Sequence, residues 1–265
     1  MRLKLGILLS ILMCYGCATN PFTGKQTMAL VSNDQLFPTS FQQYNEFLKS
    51  NKVVEGTSAA RIKRIGQRIA KASETYLNAN GYVGYLDGYK WEYHLIEDEQ
   101  KNAWCMPGGK IVFYTGILPI AESDAGIAAI MGHEVAHALA NHGQQRMSAA
   151  YIQQGIAIAG NVAITDEQSR DMFNQYYGIG SEVGGMLPFS RSHESEADRI
   201  GIILMAIAGY NPAAAPALWT RMESGNTPEL LSTHPANASR IAELSALVPN
   251  ARAEAKKFGV TTFTE

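Results

Sequence analysis

Three cysteines in 265 residues are too few for a disulfide-stapled scaffold. Charged side chains make up 17% of the chain, below the roughly 25% usual in soluble domains. With 22 Lys+Arg against 24 Asp+Glu the formal charge is -2, and no basic run is present that could neutralise a row of phosphates. Nucleic-acid binding therefore has no support. After Cys17 no apolar run approaches the ~20 residues of a spanning helix; Gly155 to Ala159 and Ile200 to Ala208 fall far short. Internal repeats and low-complexity linkers are also missing, so the economical reading is one domain over residues 17–265. A hydrophobic content of 46% is ordinary for a globular protein and sufficient for a sizeable core.

The N-terminus carries a different signal. Arg2 and Lys4 precede an apolar stretch from Leu5 to Met13, which ends in Cys14-Tyr15-Gly16-Cys17. This order predicts a secretory signal over residues 1–16, with an apolar part too short to span a bilayer. Gly16 before Cys17, and the turn-prone Ala18-Thr19-Asn20-Pro21 after it, resemble a bacterial lipobox with Cys17 as the lipidated first mature residue. Cys14 stands where that motif usually has Leu. Cleavage would remove Cys14 and acylation would occupy Cys17, leaving Cys105 as the one thiol, expected to be a small core residue. The expected setting is the bacterial envelope, on the periplasmic face of the outer membrane because Ala18 and not aspartate follows the cysteine. An ordinary cleaved signal and a free exported protein is the alternative.

Along the rest of the chain, apolar residues at three- and four-residue spacings predict helices over Asn33–Lys49 and Ser58–Asn78. Alternation predicts a strand over Trp91–Ile96, and the turn Pro107-Gly108-Gly109 joins two strands, Asn102–Cys105 and Ile111–Thr115. Ser123-Asp124 reads as the start of a helix that continues to about Met147. The glycine-rich stretch Tyr151–Leu187 reads as broken helix plus mobile loop. Further helices are expected over Ser192–Ala208, stopped by Gly209 and Pro212, and over Pro212–Glu223 and Pro235–Leu247. The class is α+β, mainly helical, with a small antiparallel sheet.

Within the alanine-rich helix stands His133-Glu134-Val135-Ala136-His137, whose histidines lie four residues apart and so project from one helical face. Both rings can reach one metal ion. Two polar rings on an otherwise apolar helix need partners, and a metal meets that need. A catalytic zinc takes three protein ligands and keeps one position for water. Nine residues on from His133, a continuous helix would turn His142 away from the site. Glu194 and Asp198, one turn apart in Ser192-His193-Glu194-Ser195-Glu196-Ala197-Asp198, are better placed. One can ligate while the other accepts a hydrogen bond from a ligating histidine. Glu194 is favoured as the ligand, with His193 a possible substitute, and Glu196 reads as a solvated acidic residue.

With Ser232-Thr233-His234-Pro235 and Arg240, these motifs resemble metallopeptidase family 48, which includes the HtpX, CAAX prenyl-protein, Oma-type and BepA-like proteases. The resemblance runs from about Thr23 to Val248. It implies a glutamate-type zincin holding one zinc through His133, His137 and Glu194. It also implies Glu134 as catalytic acid/base, Asp198 as the residue that orients a ligand, and His234 and Arg240 near the open face of the metal. There either could stabilise an oxyanion, or His234 could fill the fourth zinc position at rest. A substrate chain could add along the hairpin edge bounded by Asn102, Gly108 and Gly109, although an ordinary tight hairpin explains those residues as well. The integral-membrane members carry spanning helices that are absent here, and the helical-repeat domain of BepA-like members is not expected either. The function implied is a zinc endopeptidase of the envelope, acting on unfolded or misassembled exported proteins. The rival is a protease-fold chaperone or assembly factor whose zinc site is plugged or slow.

Overall fold

In the computed structural model the described residues are 17–181, 187–224, 234 and 238–265. The signal segment read over residues 1–16 lies outside them. Strands β1 (Cys17–Thr19) and β2 (Gln26–Met28) pair antiparallel, and between them Asn20 Oδ1 accepts a hydrogen bond from the Phe22 N–H, 2.9 Å. Helix α1 (Asn33–Ser50) opens where Gln35 reaches back to the Ser32 N–H, a capping box. Helix α2 (Thr57–Ala79) buries Ile62, Ile65 and Ile69 completely, as their spacing predicts. Each such side chain contributes about 1.5–3 kcal/mol.

The sheet contains β3 (Val53–Val54), β4 (Glu92–Ile96), β5 (Ala103–Met106) and β6 (Lys110–Tyr114) in the order β3-β4-β6-β5. The β5/β6 hairpin is antiparallel, as expected, and β3, which the sequence pattern did not mark, pairs antiparallel with β4, but β4 and β6 run parallel, with Glu92 opposite Lys110 and Ile96 opposite Tyr114. The sheet is thus mixed. All five residues of β6 are buried, so it takes the centre, and the less buried β5 is left at the edge. In the connecting turn Gly108 and Gly109 have φ of 83° and 86°, and a Cβ on either would run into Phe41 or Trp91.

After the short helix α3 (Leu118–Ala121) comes α4 (Asp124–Leu139), buried from Ala125 to Leu139. Ser123 Oγ accepts from the Gly126 N–H, and Arg61 and Arg64 of α2 hold Asp124 at 2.5 and 2.7 Å. The apolar spacing predicts that this helix continues to about Met147. The chain instead breaks at Asn141, which is left-handed with φ 56°, and restarts as α5 (His142–Ala163). Helix α6 (Glu167–Ser181) folds back on α5, so the segment expected as broken helix and mobile loop forms a helical hairpin up to Ser181. Gly160 is a packing site there and not a breaker: the Phe173 ring occupies the space a Cβ would need, and the Asn161 and Asn174 amides exchange hydrogen bonds of 2.7 and 3.0 Å.

Helix α7 (Leu187–Ile207) starts earlier than its periodicity implied, α8 spans Ala214–Ser224, and α9 (Ala238–Lys257) runs on past Leu247 through Pro249. Its expected beginning at Pro235 falls outside the described residues. Helices α4 and α7 cross where Gly132 faces Gly201, and a Cβ on Gly132 would stand 2.7 Å from the Gly201 carbonyl oxygen. That close approach brings the short side chains Glu194 and Asp198 within reach of the histidines of α4.

Candidate metal centre

Four groups converge at this crossing: His133 and His137 from α4, Glu194 from α7 and His234 from the segment before α9. His137 Nε2 lies 3.0 Å from His133 Nε2 and 3.2 Å from Glu194 Oε1, while His133 Nε2 lies 3.3 Å from Glu194 Oε2. Atoms at the usual zinc distance of about 2.0–2.1 Å in a tetrahedron are about 3.3 Å apart. The three donors therefore fit the edges of one coordination tetrahedron.

The proton positions lead to the same conclusion. Asp198 Oδ1 is an acceptor 2.9 Å from His133 Nδ1, so in the neutral ring the proton is on Nδ1 and the Nε2 lone pair faces the cluster. Lone pairs and a carboxylate meeting in a buried space need a cation between them. Without metal, burial works against protonating His133, but Asp198 and Glu194 outweigh it and push its pKa up to about 9. Burial holds His137 well below the usual imidazole range. Burial would raise Glu194, yet its hydrogen bonds to His133, His137 and His234 keep it far below the ordinary carboxylate range. Asp198 is likewise lowered: burial opposes ionisation, and Arg240 and His133 overcome it.

Arg240, expected near the open face of the metal, is held by two carboxylates of the site. Its Nε and Nη2 donate to the two oxygens of Asp198, Nη2 lies 3.1 Å from Glu194 Oε2, and the guanidinium stacks 3.8 Å above the Trp219 ring. At 5% exposure it braces the two carboxylates.

Two residues expected to lie away from the site, His142 and Glu196, are placed behind His137. The break at Asn141 turns His142 back toward the site, and its Nδ1 lies 2.8 Å from His137 Nδ1. Glu196, read as solvated, sits with Oε2 2.9 Å from His142 Nε2. His193, the possible substitute ligand, stacks on His142 with ring centroids 4.1 Å apart and donates from Nε2 to Gln145 Oε1. It lies outside the ligand cluster. No local spacing in the sequence marks His142 and Glu196, since the left-handed residue that redirects the chain is an ordinary Asn-His pair within a helical pattern.

On the remaining side, Glu134 is buried, with Oε1 3.5 Å from His234 Nε2. His234 Nδ1 lies 3.2 Å from His133 Nε2 and 3.0 Å from Glu194 Oε2. This ring thus stands at the fourth corner with its other nitrogen toward Glu134. Strand β5 packs against α4, and burial raises the Cys105 thiol well above its usual range, as befits the inert residue expected there. Asn102 precedes β5, and its carbonyl accepts from the Tyr114 N–H. Gly108 and Gly109 are accounted for by the turn.

Residues 57–248 match peptidase family M48. The mitochondrial metalloendopeptidase OMA1 of Schizosaccharomyces pombe is 34% identical over 177 residues, covering 64% of this chain and 50% of its own length. OMA1 of Saccharomyces cerevisiae is 34% identical over 202 residues, covering 72% of this chain and 56% of its own length. The beta-barrel assembly-enhancing protease of Escherichia coli is 28% identical over 184 residues, covering 63% and 37%. The chain spans about half the length of the OMA1 relatives it matches. Because the family match runs from the start of α2 into α9 and encloses the His133–His137 and Glu194–Asp198 pairs, the chain belongs to peptidase family M48.

Proposed function

We propose that this chain is a zinc-dependent endopeptidase of the bacterial cell envelope that acts on misfolded or misassembled exported proteins. The observation that carries the reading is Glu134 beside a three-ligand cluster of tetrahedral spacing, since a purely structural ion has no use for a general base. Zinc held by His133, His137 and Glu194 would acidify a water molecule and polarise a peptide carbonyl. Glu134 would accept the water's proton at its carboxylate and hand it on to the leaving amide nitrogen. Asp198 and Arg240 would keep the ligands aimed, and β5, the edge strand among the described residues and beside α4, would receive an extended substrate strand between Asn102 and the Gly108-Gly109 turn. The test is casein hydrolysis by wild type and Glu134→Gln at matched zinc content. The variant should retain zinc and fold and lose activity, and equal hydrolysis would remove the mechanism.

The envelope setting rests on the signal-like residues 1–17 rather than on the mitochondrial relatives. An exposed apolar surface supports it: Met28 and Leu30 continue into Met147, Tyr151, Ile152 and Ile156 of α5, where the Leu30 N–H donates to Ser148 Oγ. Helix α5 carries no charged residue from Met147 to Ala163. A lipid anchor at Cys17, where β1 begins, would hold this face against a bilayer.

A second reading, a protease-fold assembly factor of low turnover, is favoured by one observation: His234 stands at the fourth corner of the cluster. As a restraint it must leave before water and substrate enter. His234→Ala should then raise basal casein hydrolysis. A drop of ~100- to 1000-fold at full zinc occupancy would instead assign it to the oxyanion.

A further inference from the structure

We propose that His142 and Glu196 form a second positioning arm of the metal centre, fixing the tautomer and ring angle of His137 as Asp198 does for His133. The inference rests on the zinc reading of the His133, His137 and Glu194 cluster. His137 turns Nε2 toward the cluster, so for that atom to ligate, its proton must reside on Nδ1 and be donated there. The group it meets is His142 Nδ1 at 2.8 Å. To accept, that nitrogen must be the unprotonated one, which places the proton of His142 on Nε2. Nε2 in turn lies 2.9 Å from Glu196 Oε2, an obligatory acceptor when ionised.

These three groups therefore admit one self-consistent proton arrangement. It runs from the Glu196 carboxylate through the His142 ring to His137 and ends with a lone pair aimed at the ion. Placing the His142 proton on Nδ1 would force the His137 proton onto Nε2 and turn a donor into the ligand cluster, while His142 Nε2 would face a carboxylate with no proton between them. The ring that transmits this choice is rigidly held. His142 is 0% exposed, His193 lies flat against it at an interplanar angle of 10°, and Gln145 ties both to the α4/α5 junction through His193 Nε2 and the Ala140 carbonyl. The left-handed Asn141 is what makes the arm possible, since it redirects the chain so that position 142 returns to the metal face. In effect α7 supplies both carboxylates: Asp198 backs His133 directly, and Glu196 backs His137 through one intervening ring.

The test is zinc affinity of the metal-free full chain by competition with a chromophoric chelator, with cobalt substitution to read the ligand field. His142→Phe keeps the stacked ring but removes the acceptor, whereas His142→Asn leaves an amide oxygen where Nδ1 stood. We expect His142→Phe to bind zinc ~10- to 100-fold more weakly, with an altered cobalt absorption spectrum, and His142→Asn to recover most of that loss. Glu196→Leu, two steps from the ion, should weaken binding in the same direction by a smaller factor, and it reads the arm even if the Phe variant fails to fold. Wild-type affinity in a folded His142→Phe protein or in Glu196→Leu would overturn the arm, as would equal losses for Phe and Asn at position 142. Absence of zinc binding by the wild type would overturn the metal reading itself, and this inference with it.

Discussion

At the residue scale the site is a set of polar groups that burial alone would not tolerate, each made acceptable by the next. Asp198 is the clearest case, since it accepts from His133 Nδ1 with one oxygen while Arg240 donates to both. Asp198→Asn should weaken zinc binding by ~10- to 100-fold without unfolding the chain, because one His133 partner is degraded and no ligand is lost. Arg240→Lys should cost zinc affinity too, measurable in the same chelator competition, because a point-like ammonium cannot span Asp198 and Glu194 while stacking on Trp219. The pairing of His133 with His137, and of Glu194 with Asp198, is legible in the sequence because each depends on local helical spacing, and the structure groups His133, His137 and Glu194. The placement of Arg240 is not: which of several polar partners a guanidinium meets is decided by the packing of α9 on α7 and α8, elements far from one another in sequence.

Two elements decide whether the residues meet at all. The Gly132–Gly201 contact sets the separation of α4 and α7. Gly201→Ala should wedge the helices apart, lowering stability by about 1–3 kcal/mol in denaturant unfolding and weakening zinc binding although no ligand has changed. The start of α4 is fixed by Asp124, whose pKa is lowered: its slight burial opposes this, and the hydrogen bonds from Arg61 and Arg64 outweigh it. A carboxylate depressed in the folded state adds stability above its unfolded pKa of about 3.9 and loses it as pH falls through the lower folded value. Asp124→Asn should therefore be less stable than wild type near pH 7 by about 1 kcal/mol, and the gap should close in strongly acidic buffer. A gap independent of pH would mean the carboxylate charge plays no part. Sequence periodicity found both helices but carried α4 across Asn141, since one left-handed residue leaves the spacing of apolar positions almost undisturbed. It could not foresee that β6 would lie beside β4 in parallel, because pairing between strands separated by a hairpin depends on which strand is buried on both faces.

At the scale of the whole molecule the fold brings α4, α7 and His234 around one point, with β5 packed against α4 and an apolar face along α5. If Cys17 is the anchor, Cys17→Ser should move the protein from the membrane to the soluble fraction with its hydrolytic activity intact, and unchanged fractionation would assign attachment to another surface. The central claim, a single zinc ion serving a peptidase site, is tested most directly by measuring metal content and casein hydrolysis on the same preparation before chelation, after it and after zinc is restored. We predict close to one zinc per chain, activity that is lost with the metal and returns with it, and no zinc retention by His133→Ala, His137→Ala or Glu194→Ala. Undiminished hydrolysis by the zinc-free protein would contradict the account.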